Sequence, residues 1–287
     1  MQINVESWWY FLCTMAAVNI MLWVISLVYF HRRKAFKNKN IRKWRIIMLW
    51  CSGMYVAGCA FRSVLPIVDL ERFCVVDSVL SNVFLGRSIA TIAELCFITL
   101  CAILLHEAGR GINDRFAIRV SLLLVPAIML AETFSWYAML STNYFGSIIE
   151  ESIWALCGIL LLISLIRLTP HVKNRHRSFL SVMLVFAVGF VVFMLTIDVP
   201  MYISRWLADT ANNVAYLSLS QGLHNALLPC TVNLSSEIWR EEIPWMSLYF
   251  TVAVWVSISL PIAPNYIKVM KKKSRVSQKK KAAEVLV

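Results

Sequence analysis

Apolar residues run along this chain in long, nearly unbroken stretches rather than in short alternations. A run of about 18–25 apolar residues is the length that crosses a ~30 Å hydrocarbon core as a helix. Seven such runs can be delimited: Trp8–Phe30, Ile46–Val68, Ser88–Leu105, Phe116–Ala138, Ser147–Ile166, Phe179–Tyr202 and Met246–Pro264. Strands or loops open to lipid would leave backbone groups without partners, so helices are expected throughout. The pattern therefore predicts an all-α fold, a polytopic membrane bundle of seven transmembrane helices. It fills residues 1–267, and 268–287 form a basic tail expected to be disordered. No basic residue precedes the first run, which is long for the apolar core of a cleaved leader, so it is read as a retained span.

Two connections have a different period. From Ile67 to Gly86, and again from Asn213 to Pro229, apolar residues recur every three or four positions with polar ones between. Both are expected to be amphipathic helices lying at the membrane interface, the first alternatively extending the third span.

Composition agrees with a bilayer protein. The 287 residues are 59% hydrophobic and 15% charged, against roughly 45–50% and 25% in soluble domains. The net charge of +12 would suit nucleic acid, but its distribution argues otherwise. Of 28 Lys and Arg residues, 23 fall between Arg32 and Arg45, at Arg110, Arg115 and Arg119, between Arg167 and Arg177, and from Lys268 onward. Those segments alternate along the seven spans and so share one side. The positive-inside rule makes that side cytoplasmic, with the N-terminus outside and the C-terminus inside. The expected partners are the lipid bilayer, with anionic headgroups at the cytoplasmic face, and a small polar ligand or lipid, but no nucleic acid.

Charge within the spans is concentrated at one depth, and their inner two-thirds hold almost none. Arg62, Glu132 and Asp198 lie near the ends of outward-running spans, and Arg87, Glu94, Glu150 and Glu151 near the starts of inward-running ones. Arg87, Thr91 and Glu94 follow one another at i, i+4 and i+7, as do Asp198, Tyr202 and Arg205, so each set shares a helix face. A mid-bilayer charge costs roughly 2.5–3.5 kcal/mol on insertion scales, which implies pairing or water. The expectation is an outward-facing polar cavity, with Glu94, Glu132 and Asp198 as binding carboxylates, Arg62 and Arg87 as counter-ions, and Thr91 and Tyr202 beside them. A closed ion-pair network fixing helix register is the alternative. Glu150 and Glu151 are read as a solvated helix start, favoured by the N-terminal dipole.

Candidate chemistry narrows little further. Cys74 and Cys230 both fall in outer connections and are a possible disulfide. Only His224 of the five histidines lies on that side, and His106-Glu107 lacks the second histidine of a zinc helix, Arg110 standing in its place. No metal site and no cofactor is expected. No lysine lies in a span to form a Schiff base, and there is no phosphate-binding Gly-rich loop or G-x-S-x-G elbow. The third span ends LLHEAGR and the seventh PIAPNYIK, so the marker triplets of G-protein-coupled receptors are missing. The leading functional reading is binding or transport of a small polar solute or lipid headgroup. A membrane enzyme acting on a lipid-linked substrate, and a sensor or assembly partner, are the alternatives.

Overall fold

A computed structural model describes residues 4–32, 39–172 and 174–264. Seven helical segments in it are long and apolar enough to cross a membrane. The first five spans are α1 (Val5–Arg32), α2 (Lys39–Val64), α3 (Val83–Ile112), α4 (Arg115–Ser141) and α5 (Tyr144–Leu168). The sixth is a composite: α6 (Asn174–Phe193) runs through a π turn at Met194–Asp198 into α7 (Val199–Ala211). The seventh is built likewise from α10 (Glu242–Leu248), a π turn at Tyr249–Ala253 and α11 (Val254–Ser259). Between these two spans lie α8 (Leu219–Ala226) and α9 (Ser236–Trp239). Trp50, Leu122 and Val185 are 68, 65 and 69% exposed on the flanks of the bundle, far more apolar surface than a soluble monomer tolerates in one belt. The architecture fits a multi-pass membrane protein.

Several spans are longer than hydropathy alone predicts. The third starts at Val83 rather than Ser88, the sixth reaches Ala211 rather than Tyr202, and the seventh begins at Glu242 rather than Met246. The added turns carry Arg87, Arg205 and Glu242, whose charges are paired within the protein. A paired charge does not end a helix.

α3 is central, packing against α2 on one side and α4 on the other, while α5 packs on α4 and the sixth span on α5. The first and seventh spans close against α2. The α3–α4 and α4–α5 hairpins use one device. Asn113 (φ 61°) and Thr142 (φ 58°) turn the chain in the left-handed region, and the next residues, Asp114 and Asn143, cap the following helix with their side chains. Two glycines bring helices together at the charged depth. A Cβ on Gly58 would stand 2.9 Å from Ala93 Cβ on α3, and one on Gly146 would stand 2.7 Å from Phe134 O on α4. Larger residues there would separate α2 from α3 and α5 from α4.

The connections depart from expectation. Ile67–Gly86 is not an amphipathic helix. Strands β1 (Ile67–Val68) and β2 (Phe73–Cys74) pair antiparallel, Ile67 opposite Cys74, and β2 pairs parallel with β3 (Thr231–Val232). Arg72 turns the hairpin at φ 59°, and Asn82 caps α3 by accepting from Leu85 N at 2.9 Å. Of the apolar residues that imitated a helical stripe, Phe73 is drawn into β2 by long-range pairing, while Val83 and Phe84 open α3, so the segment extends the third span only at its end. In the second connection a helix does form, but only over Leu219–Ala226, with a Ser218–Gln221 capping box. It seats on the end of α4, where Leu217 N donates to Ser141 O at 3.0 Å.

These capping segments lie at the same end of the bundle as Trp8, whose Nε1 donates to Ser247 Oγ at 3.0 Å. We call it the acidic end. The opposite, basic end is closed by Arg45, buried on α2, which donates to Leu260 O (2.9 Å), Pro261 O (3.3 Å) and Glu107 Oε1 (2.8 Å). The predicted basic tail, 268–287, lies outside the described residues.

Candidate functional site

Arg87 of α3 is the centre of the acidic end. Its Nη2 donates to Glu132 Oε2 at 2.9 Å and Glu94 Oε2 at 3.3 Å, and lies 3.6 Å from Glu150 Oε1. Nη1 is 3.9 Å from Asp69 Oδ2. Thr91 adds a hydroxyl to Glu132 Oε2 at 2.6 Å and is itself oriented by Trp136 Nε1 at 3.0 Å. The Tyr249 hydroxyl donates to Glu94 Oε1 at 3.2 Å. Arg62 of α2 stands at the edge of this group, its Nη2 3.8 Å from Asp69 Oδ1. Arg62, Arg87, Glu94, Glu132 and Glu150 are all buried. So five residues expected from sequence, Arg62, Arg87, Thr91, Glu94 and Glu132, do converge.

Asp198 and Tyr202 do not join Arg87. They belong to a second network around Arg205, which reaches Glu241 Oε2 (2.7 Å), Glu242 Oε1 (2.9 Å) and Glu71 Oε1 (3.2 Å). The Tyr202 and Tyr144 rings lie 5.8 and 5.7 Å from the Arg205 guanidinium, and Tyr144 donates its hydroxyl to Glu71 at 2.5 Å. Adjacent residues of α5 join the two networks: Glu150 faces Arg87, while Glu151 meets Asp198.

Several members escaped the sequence reading. Glu150 is not a solvated helix start. Asn143 caps α5, so Glu150 lies nearly two turns in and is buried beside Arg87. Asp69 and Glu71 were placed on a helix that does not exist, and their positions follow from the β1–β2 hairpin. Tyr249 was one apolar-span aromatic among several. It reaches Glu94 from a π turn, as Asp198 ends the other one, and π turns recur where a helix must re-aim a functional side chain.

Carboxylate oxygens of Glu94, Glu132 and Glu150 lie within 4.8 Å of one another, an arrangement suited to a metal ion. A search restricted to histidine and cysteine overlooks such a set. Arg87 Nη2 lies within 3.6 Å of a carboxylate oxygen of each, so its charge already serves all three.

Hydrogen bonding in the cluster is incomplete. Arg62 Nε, Asp69 Oδ1, Arg87 Nε and Glu132 Oε1 are buried without a partner. Natively buried polar atoms are paired in the great majority of cases, so a local group of exceptions marks a ligand, a water or a functional strain.

Cys74, in β2, and Cys230, just before β3, come together, but as free thiols. Cys74 Sγ points at Val76 O (3.3 Å) and Cys230 O (3.6 Å), and the bridge considered from sequence is not formed. Burial, then the neighbouring Cys74, pushes the Cys230 thiol up to about 12, which keeps the thiolate needed for exchange scarce.

No protein-family model, curated protein or solved structure matches this chain.

Proposed function

We propose that this multi-pass membrane protein binds, and carries through the membrane, a small polar solute or lipid headgroup, received at the acidic end of the bundle. In this reading the acidic end faces outward and the basic end the cytoplasm, which the placement of Lys and Arg supports. The observation that carries the reading is the meeting of Arg62 Nε, Asp69 Oδ1, Arg87 Nε and Glu132 Oε1, buried and unpaired, from three helices and a hairpin. A network serving helix register alone gains most from saturating its hydrogen bonds, because half-satisfied buried charge is costly. Unused donors beside unused acceptors are instead what a polar ligand completes. The π turns of the sixth and seventh spans supply two places where backbone can shift without breaking a regular helix.

The test is native mass spectrometry of the full chain released from nanodiscs. Wild type is expected to retain a bound polar molecule or lipid. Arg62→Gln should reduce its occupancy about tenfold or more, since a hydrogen bond to a charged group is worth roughly 1.5–3 kcal/mol. A wild-type protein that carries nothing, or Arg62→Gln at unchanged occupancy, would sink the reading.

A further inference from the structure

The unpaired atoms differ in kind, and the difference identifies a ligand class. Arg87 Nη2 has two N–H groups, and both are taken, by Glu94 and Glu132. Glu150, 3.6 Å away, feels the charge without a hydrogen bond from that nitrogen. Glu132 has its Oε2 filled by Arg87 and Thr91 and its Oε1 buried without a hydrogen-bond donor, with the Glu94 carboxyl close by. Beside Arg87, whose Nε is also unpaired, Glu132 Oε1 therefore offers acceptor capacity, and carboxylates outnumber arginines: among the described residues Asp69, Glu94, Glu132 and Glu150 form ion pairs only with Arg62 and Arg87. A primary ammonium, with three N–H donors and one positive charge, matches that capacity. A metal ion fits less well, since Arg87 Nη2 already sets a positive charge within 3.6 Å of all three carboxylates.

Arg62 supplies an independent observation on another helix. It is 5% exposed, its Nε has no partner, and its one ion pair among the described residues, to Asp69, is too long at 3.8 Å for a hydrogen bond. A buried guanidinium with free N–H groups is a receptor for a carboxylate or phosphate, which it grips through two parallel bonds. Asp69 separates the two halves, 3.8 Å from Arg62 and 3.9 Å from Arg87. It follows directly on β1, in the cap rather than in a span.

We propose that the ligand is a primary-ammonium zwitterion, its ammonium on Glu132 and Glu150 beside Arg87 and its anionic group on Arg62. This rests on the binding function proposed above and narrows it. The chemistry is shared by soluble zwitterions and by the ethanolamine headgroup of a lipid.

The experiment is calorimetric titration of the full chain in phosphatidylcholine nanodiscs. Its probes are phosphoethanolamine and β-alanine, compared with ethanolamine, inorganic phosphate and phosphocholine. One or both zwitterions are expected to bind at least tenfold tighter than ethanolamine or phosphate alone. Phosphocholine, whose quaternary nitrogen has no N–H, is expected to be at least tenfold weaker than phosphoethanolamine. Arg62→Gln should abolish the advantage over ethanolamine, and Glu150→Gln the advantage over phosphocholine. The wild-type series stands without the variants should either fail to fold. Repeating the titration in nanodiscs containing phosphatidylethanolamine separates the sources: lost binding assigns the site to the lipid, unchanged binding to the soluble zwitterion. Phosphocholine equal to phosphoethanolamine, or phosphate alone as tight as either zwitterion, overturns the proposal. No binding of either zwitterion, while native mass spectrometry finds another molecule bound, overturns the zwitterion and leaves the binding function standing; an empty wild-type protein removes both.

Discussion

Asn19 stands in the middle of α1, only 2% exposed. Its Nδ2 donates to Phe250 O at 2.7 Å, and its Oδ1 accepts from Trp255 Nε1 at 3.0 Å. Phe250 lies in the π turn of the seventh span, where the change of hydrogen-bond register leaves backbone groups in need of partners. One amide in an apolar run therefore supports a distortion more than 200 residues away in sequence. Asn19→Leu should cost about 0.6–1.7 kcal/mol, the range measured for polar contacts between membrane helices, read as denaturant unfolding in detergent micelles. An unchanged midpoint would mean that the π turn holds its own carbonyls. Arg62 and Glu150 teach a related lesson. Residue type placed both at the charged depth, but whether each was paired or solvated depended on the neighbours supplied by α3, α4 and the hairpin.

At the scale of elements, Asx residues set helix starts that hydropathy placed several residues too late: Asn82 before α3 and Asn143 before α5, with Asp114 before α4. Asp114 accepts from Phe116 N (2.8 Å) and Ala117 N (3.2 Å), and Arg167 Nε reaches its other oxygen at 3.0 Å. Burial works against its charged form, but Arg167 and the two amides outweigh burial and hold the carboxyl below its ordinary range. A depressed folded pKa contributes stability that is complete above the unfolded value, about 4, and is lost as pH falls through the lower folded value. Asp114→Asn keeps a capping oxygen and removes the titration. Melting temperatures taken from about pH 5 down to about pH 2 should therefore fall less steeply in Asp114→Asn than in wild type. Parallel curves would show that Asp114 does not contribute to the acid-side loss. The β1–β2–β3 sheet was illegible because each strand has two residues, too few to express a period of two against a background of apolar spacing. The π turns left no sequence mark beyond Pro200, which follows the first of them.

At the scale of the whole molecule, the bundle carries ion networks at both ends. The acidic end is a broad, incompletely bonded cluster. The basic end is a compact one, where Arg45 joins α2 to Glu107 of α3 and to the last carbonyls of the seventh span. Arg45→Met leaves Glu107 buried without this partner and should destabilise by about 3–5 kcal/mol, whereas Arg45→Met with Glu107→Leu should recover most of it, because removing a buried pair together costs far less than removing one half. The check is a double-mutant cycle of unfolding in detergent. Equal losses in the single and double variants would assign the effect to the Leu260, Pro261 and Pro264 carbonyls instead. The sequence by itself determined how many times the chain can cross a bilayer and at what depth its charges lie, because hydropathy and helix rise project each residue onto the membrane normal. Rotation about that normal is not contained in the projection. Tertiary structure alone decided that Glu150 turns toward Arg87 while Asp198, at a similar depth, turns toward the Arg205 network, that a hairpin brings Asp69 between two arginines, and that Arg62 is left with hydrogen bonds to give. Helix packing and strand pairing set those azimuths, and they are properties of the neighbours rather than of the segment.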